Sequence, residues 1–496
     1  MPTRFPGPVQ AVPELAKLRQ AASAAGFTRD ALTRAGVLSA PGQVVPPEII
    51  RQQLAASPSL DVFARLFIMG EALDRVAVAR AIEHGLVGKL EELGVLVAAG
   101  EGIRSTICLA PVADRLIASD FSPVQGGPVP GPDHVLVPGM LSQLLGDLTV
   151  RKPIDLAIDV GTGQGYQAIL AAGHAKRVIA TDIVPRALNL ADAGLAINGI
   201  TNVELRQGSL LEPLADVQGQ ADLVVCNPPF VLTPRPMLSA VTSEREGDSL
   251  FEELVRGSST LLRDGGYAVM MGAWYEQPGG EWSSRPRGWI QGCDAWLLRF
   301  SSQSPAEYAR DQSLGQTAVE GRTPPTPQEW EAYFKNLNAT MIHLGVVILR
   351  KRAGKNWLRA ETINVNQRTG SHSDQIQRTF AATTLLADLA QPAALLDYRL
   401  IANPDSAVDQ SLRLQGGRWV PAVQRLRQTT GFAMMVDVEA DAWMSLAAFD
   451  GHRTVRSALH EISKAFKIDQ SQTESRMLPA VRKLLEIGYL SPTIKQ

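Results

Sequence analysis

The sequence predicts an α/β protein with a mainly parallel sheet, a helical region before it and a smaller α+β unit after it. Three observations carry that expectation. The chain has 496 residues, too many for one ordinary domain. From about residue 150, short apolar β-branched runs alternate with helical stretches, the rhythm of right-handed crossovers. The first of those runs ends in a glycine-rich turn, Gly161-Thr-Gly-Gln-Gly165.

Composition narrows the class. Hydrophobic residues make up 45% and charged ones 20%, a balance that can bury sizeable cores. Lys and Arg number 48 against 50 Asp and Glu, so any basic face must be local. Cys108, Cys226 and Cys293 lie too far apart for a zinc cage or a disulfide framework. The seven histidines have no ligand spacing, and no metal is expected. No apolar signal core and no membrane-spanning apolar run is visible. Collagenous, disulfide-stapled, membrane-embedded and largely disordered classes are excluded, and a reducing, cytoplasmic setting is expected.

Residues 1–118 read as a helical N-terminal domain. Leu60, Phe63, Leu66, Phe67 and Met69 follow the spacing of a buried helical face, and Pro46-Pro47, Gly85, Gly100 and Gly102 punctuate the region. Residues 119–148 form a Pro/Gly-rich connecting loop. The sheet domain spans 149–364, with strands at Ile154–Val160, Arg177–Thr181, Val203–Gln207, Leu223–Cys226, Tyr267–Gly272, Asp294–Phe300 and Ile342–Leu349. Helices are expected at Tyr166–Ala172, Pro185–Asn198 and Leu250–Leu262, and a long polar insert separates the last two strands. After a linker beginning at Asn364, residues 375–496 form a C-terminal unit. Its helix at Thr454–Phe466, a second helix from Met477 and the Gly488-Tyr-Leu turn into a strand predict a winged-helix-like α+β domain. From Ser371 to Gln496 there are 14 Lys/Arg against 13 Asp/Glu, which favours an interaction or dimerisation module over a DNA reader.

The glycine turn lies where an open α/β sheet binds ligands, at the carboxyl end of a strand. Gly161, Gly163 and Gly165 let backbone approach a ligand closely. Their spacing departs from the dinucleotide fingerprint GxGxxG, which weakens a nicotinamide or flavin reading; a purely structural tight turn is the alternative. Asp182 closes the second strand 21 positions after Gly161. An acid there can take both hydrogen bonds of a ribose diol, or cap the helix that starts at Pro185, and both roles can hold at once. Gly208-Ser209 follows the third strand and offers backbone and a hydroxyl near an adenine edge.

The fourth strand ends in Asn227-Pro228-Pro229-Phe230. Two prolines fix φ and remove two donors, leaving carbonyl acceptors, and Asn227 adds a side-chain acceptor. Phe230 supplies a flat apolar face. This set suits a planar –NH2 group, with one N–H on Asn227, one on the Pro228 carbonyl, and the π-system on Phe230. The alternative is an ordinary strand-ending turn. Glu246 and Asp248 follow as acids of a solvated loop, and His134 lies on an upstream loop that can approach the site.

From about Asp155 to Phe230 the sequence resembles the class I S-adenosylmethionine-dependent N-methyltransferases that bear an Asn-Pro-Pro-Phe/Tyr signature. That group includes the release-factor glutamine methyltransferases and the amino-methylases of RNA and DNA bases. Asp133-His134-Val-Leu and Pro305–Tyr308 are similar to a multidomain bacterial branch. The resemblance implies a Rossmann-like seven-stranded methyltransferase sheet and S-adenosylmethionine as cofactor. It implies that Asp159, Gly161, Thr162, Gly163 and Gly165 line the methionine part, Asp182 the ribose, and Ser209 and Leu210 the adenine. Asn227, Pro228, Pro229 and Phe230 would hold the target nitrogen, with Asn227 also bordering the cofactor.

The expected acceptor is an exocyclic amine of a nucleic-acid base, in RNA or DNA. Phe230 favours it, since the glutamine methylases typically carry Tyr there. A glutamine amide of a translation factor is the alternative, suggested by Val231-Leu-Thr-Pro and by near-neutral charge. A non-catalytic cofactor-binding module and a small-molecule N-methylase are the remaining classes. No membrane partner is expected.

Overall fold

The computed structural model describes residues 14–38, 47–122, 128–315, 318–365, 370–432, 434–438 and 445–493. The opening segment, residues 123–127 of the Pro/Gly-rich loop and residues 366–369 of the second linker lie outside the described residues. Contacts divide the chain into two units: residues 1–145, 153–290 and 301–347, and residues 146–152, 291–300 and 348–496.

The main sheet has β1 (Ile154–Val160), β2 (Ala175–Asp182), β3 (Val203–Gln207), β4 (Ala221–Cys226), β5 (Leu262–Glu276), β6 (Cys293–Gln303), β7 (Met341–Lys351) and β8 (Leu358–Thr362). Their order is β8-β6-β7-β5-β4-β1-β2-β3. β1 pairs in parallel with β2 on one side and β4 on the other, and β2–β3, β4–β5 and β6–β8 are also parallel. β4 is buried at every position and β1 at all but Asp155, as the near-continuous apolar runs of a parallel strand require. The chain winds away from β1 through β2 and β3, then returns to β1's other edge as β4. This reversal is the switch point at which such sheets bind ligands.

Seven strands were expected and eight are present. The additional β8 runs beside β6 from Ala295–Leu358 to Arg299–Thr362. Its sequence, Leu-Arg-Ala-Glu-Thr, is half-buried throughout except for an exposed last residue. It therefore carries neither an apolar run nor a clean alternation.

In the first unit, four helices bear on the site: α1 (Met140–Leu148, its last turn in the second unit), α2 (Tyr166–Ala172), α3 (Pro185–Asn198) and α4 (Ser249–Leu261). The N-terminal residues are helical, and they also form two hairpins, Leu96–Ala99 with Gly102–Ser105 and Cys108–Val112 with Arg115–Ser119. Their core is continuous with one face of α3, where Ala187, Leu190, Ala193 and Ile197 are buried against it. Asn198 fastens the end of α3 by donating from Nδ2 to the Leu116 carbonyl (2.7 Å) and accepting from the Leu116 N–H (3.2 Å). The polar insert folds into helices Pro305–Leu314 and Pro327–Asn336, each opened by a proline and a reciprocal capping box, Ser304 with Glu307 and Thr326 with Glu329.

In the second unit, helices Ser373–Asp388, Val455–Phe466 and Gln470–Glu486 accompany a small antiparallel sheet with Arg399–Ala402 at its centre. A long ribbon, Ser406–Gln415 with Arg418–Gln428, extends from it. One carboxylate organises this unit. Asp294, fully buried, accepts from Arg350 (2.7 Å), Arg352 (2.9 Å) and Thr384 (3.3 Å). Removing one partner of a buried ion pair leaves the others uncompensated. Asp294→Ala is thus expected to cost about 3–5 kcal/mol, read as a lower denaturant midpoint; a loss below about 1 kcal/mol would show that the cluster is not structural.

Candidate active site

Gly161, Gly163 and Gly165 have φ of +69°, +57° and +83°, conformations that glycine adopts without strain. A Cβ on Gly161 or Gly163 would meet nothing within 4 Å, whereas one on Gly165 would lie 3.1 Å from the Cβ of Ala191. The first two leave room for a ligand, and the third allows the start of α2 to approach α3.

Two acids at adjacent strand ends hold the turn. Asp159 accepts through Oδ2 from the Thr162 hydroxyl (2.6 Å) and the Ala168 N–H (2.9 Å). Burial pushes its carboxyl up to about 7, against those two hydrogen bonds. Asp182 accepts the Gly163 N–H on Oδ2 (2.8 Å) and the Val184 N–H on Oδ1 (2.9 Å), and burial raises it too. It thus joins the glycine turn to the segment before α3, but it does not cap that helix: the N-cap position is Val184, and no side chain caps it. Each oxygen keeps a further lone pair for a ligand hydroxyl. Gly208 donates its N–H to the Asp182 carbonyl (3.1 Å), and Leu210 beside it has φ +49°, a strained value for a side-chain-bearing residue.

At the tip of β4, Asn227 donates from Nδ2 to the Ser142 hydroxyl (3.1 Å). Its Oδ1 is buried and has no hydrogen-bond partner. A buried acceptor left unmade costs free energy, and this one has no partner among the described residues. Ser142 lies on α1, and its carbonyl accepts from Gln167 of α2 (2.7 Å).

These residues border one cavity of about 900 Å³, near the top of the usual range for ligand sites. Asp159, Gly161, Thr162, Gly163, Asp182, Ser209, Leu210, Asn227, Pro228 and Pro229 line it. Gly165 does not, in keeping with its packing role. Phe230 does not either: its ring packs against the cluster of Leu232, Tyr275, Tyr308, Trp330 and Phe334. The expected stacking face is turned to the core because the insert helices, invisible as such in the sequence, supply an aromatic seat for it. Tyr308, from the Pro305–Tyr308 segment, accepts the Leu232 N–H on its hydroxyl (3.1 Å) and so anchors the stretch after the prolines.

Of the candidate bases, neither Glu246 nor Asp248 lines the cavity. Asp248 is buried, not solvated, and is paired with Arg285 (2.8 Å). His134 does line the cavity and is buried. Its Nδ1 is 3.6 Å from Asp120, its Nε2 has no partner, and burial lowers its pKa against the pull of Asp120. Asp120 also accepts from the Val135 N–H (2.9 Å) and from Arg186 of α3 (3.0 Å), which pins the upstream segment beside Asp182. Ser142, Asp120, Arg186, Arg245 and Arg322 were missed. Ser142, Arg245 and Arg322 line the cavity, and Asp120 with Arg186 ties the upstream segment to α3; no motif marks any of them.

Residues 141–273 match the methyltransferase small domain. The chain is 33% identical over 125 residues to a release factor glutamine methyltransferase of Aliivibrio fischeri, covering 23% of this chain and 44% of that one. It is 31% identical over 190 residues to the Streptomyces coelicolor protein of that name, covering 34% and 65%. A ribosomal protein L11 methyltransferase of Lactobacillus delbrueckii subsp. bulgaricus is 47% identical over 79 residues, covering 15% and 23%. The chain thus spans less than two thirds of each relative's length. The glycine turn, Asp182 and Asn227 all fall inside the matched methyltransferase small domain.

The raised Asp159 carboxyl sets a pH test. Its folded value lies above the unfolded one, so the folded state holds the proton more tightly between about pH 4 and 7. Its contribution to stability is full below that window and falls as pH rises through it. In thermal melts, wild type is expected to lose ground relative to Asp159→Asn between pH 4 and pH 7.5. A pH-independent difference between the two would exclude the shift.

Proposed function

We propose that this chain is an S-adenosylmethionine-dependent N-methyltransferase acting on a planar amino group of a macromolecule, an exocyclic amine of a nucleic-acid base. The observation that carries this reading is Asn227, which lines the same cavity as the glycine turn and Asp182 and whose Oδ1 has no hydrogen-bond partner among the described residues. The residues fit the cofactor. Open backbone at Gly161 and Gly163 accommodates its amino-acid end, Asp182 its ribose, and Gly208 to Leu210 its base. Bound there, S-adenosylmethionine supplies an electrophilic sulfonium methyl, which the acceptor nitrogen takes to leave S-adenosylhomocysteine.

The chain's own work is orientation. A conjugated amine is a poor nucleophile because its lone pair is delocalised. Asn227 Oδ1 and the Pro228 carbonyl each accept one N–H, which fixes the nitrogen and turns its lone pair toward the donor. Ser142 holds the Asn227 amide in the orientation that leaves Oδ1 free. The proton released after transfer passes to solvent. A base in a duplex would have to leave the stack to be held this way. Residues 375–496, winged-helix-like in our reading, serve as a docking module for the macromolecule.

A second reading has its own support. The named relatives include release factor glutamine methyltransferases, which favours a glutamine amide of a translation factor as acceptor. Asn227→Ala is expected to reduce turnover at least 100-fold while S-adenosylhomocysteine affinity, by calorimetry, changes less than about threefold; activity near wild type would reject the acceptor role. Asp182→Ala is expected to weaken that affinity about tenfold or more, and unchanged binding would reject its ribose role. To separate the two acceptors, label is transferred from methyl-labelled S-adenosylmethionine into extract of a deletion strain. Nuclease-sensitive label supports the base; protease-sensitive label supports the glutamine.

A further inference from the structure

The ribbon formed by Ser406–Gln415 and Arg418–Gln428 closes through Gly416 and Gly417, with φ of +57° and +75°, the paired left-handed residues of a tight hairpin turn. Both of its faces are bare over most of its length. Leu412, Leu414 and Trp419 are 52%, 62% and 68% exposed. The third strand, Met435–Asp437, covers only Arg425 to Arg427. An isolated two-stranded ribbon is marginal in water, and this one holds large apolar side chains in solvent.

Register separates the two faces. Leu414 pairs with Trp419 and Leu412 with Pro421, so one face of the outer half is apolar and ends in the indole. Arg413 pairs with Val420, Gln415 with Arg418 and Asp409 with Arg425, so the opposite face is basic. Between residues 406 and 428 there are four arginines and one aspartate, whereas the whole chain has a net charge of −2. Arg425 and Arg427 are paired with Asp437 and Asp409. Arg413 and Arg418, next to the turn, have no carboxylate partner among the described residues. This is the local basic face that the overall charge required of any nucleic-acid contact.

We propose that this ribbon is an RNA-binding arm that takes an unpaired base of a loop or bulge on Trp419 and the adjoining phosphates on Arg413 and Arg418. The charge sign selects a polyanion over a protein surface. The indole offers one face of the arm to a splayed base, and the two guanidinium groups stand on the opposite face beside the turn, where they meet phosphates of a strand that bends around the Gly416-Gly417 tip. Such bases stand ready in RNA loops, whereas in duplex DNA they are stacked and paired. The proposal narrows the acceptor class proposed above to RNA and rests on that reading only there; the arm is argued from its own geometry.

The test uses the full chain without cofactor and a fluorescein-labelled RNA stem-loop, with its fully paired RNA duplex and a DNA duplex of the same sequence as comparisons. Fluorescence anisotropy is expected to show tighter binding to the stem-loop than to either duplex. Trp419→Ala should weaken it roughly tenfold. The double variant R413A/R418A should weaken it and flatten the slope of log K against log salt by about 1.4. All three side chains are exposed, so melting temperature and S-adenosylhomocysteine affinity should stay at wild-type values. Equal affinity for the DNA duplex, no binding to the stem-loop, or variants that bind as wild type would each overturn the proposal. If the extract label proves protease-sensitive while the arm binds RNA as described, the acceptor reading fails and the arm stands.

Discussion

Two buried carboxylates at neighbouring strand ends hold open the loop on which the site depends. Asp159 takes a hydroxyl and an N–H from the far side of the glycine turn, and Asp182 takes an N–H from its middle. Left-handed glycines have many conformations open to them when unfolded. Fixing three of them in five residues is stable only because those donors have strong acceptors within reach. Burial makes both acids more reluctant to ionise, and the charge of Asp182 adds to the cost of charging Asp159.

The opposite wall of the cavity is built differently. The cofactor side comes from one continuous stretch in which each strand delivers its own loop. Around Asn227 the pieces are distant ones: Ser142 of α1 holds its amide, and Tyr308 from the insert braces Leu232 beyond the prolines. A change of acceptor can therefore be made by altering the insert or the upstream segment while the strand ends stay as they are.

That contrast also explains what the sequence made legible. Strand and helix limits at Ile154–Val160, Tyr166–Ala172, Pro185–Asn198 and Val203–Gln207 are those read from the sequence; the buried strand Ile154–Val160 and the proline-opened helix Pro185–Asn198 write their boundaries locally. β8 and the 406–428 ribbon escaped because half-buried and exposed strands lack a core-facing pattern. The insert helices did carry a local signal, Ser304-Pro-Ala-Glu and Thr326-Pro-Gln-Glu, that a capping-box reading would have found. Ser142, Asp120 and Arg186 were beyond reach, since nothing local distinguishes a hydroxyl or an ion pair that becomes important only after residues about 65 to 85 positions apart meet. Phe230 shows the converse error: the right residue type in a motif, with its ring claimed by a neighbouring core.

The cluster around Asp294 bears on how this chain can be divided. Its partners come from β7 and from the helix Ser373–Asp388, so a cut in the linker near residue 366 would separate Thr384 from the carboxylate and the guanidinium groups it touches. The C-terminal segment is therefore no detachable appendage. A fragment ending there would keep Asp294 with Arg350 and Arg352 but lose the Thr384 hydroxyl that completes the cluster.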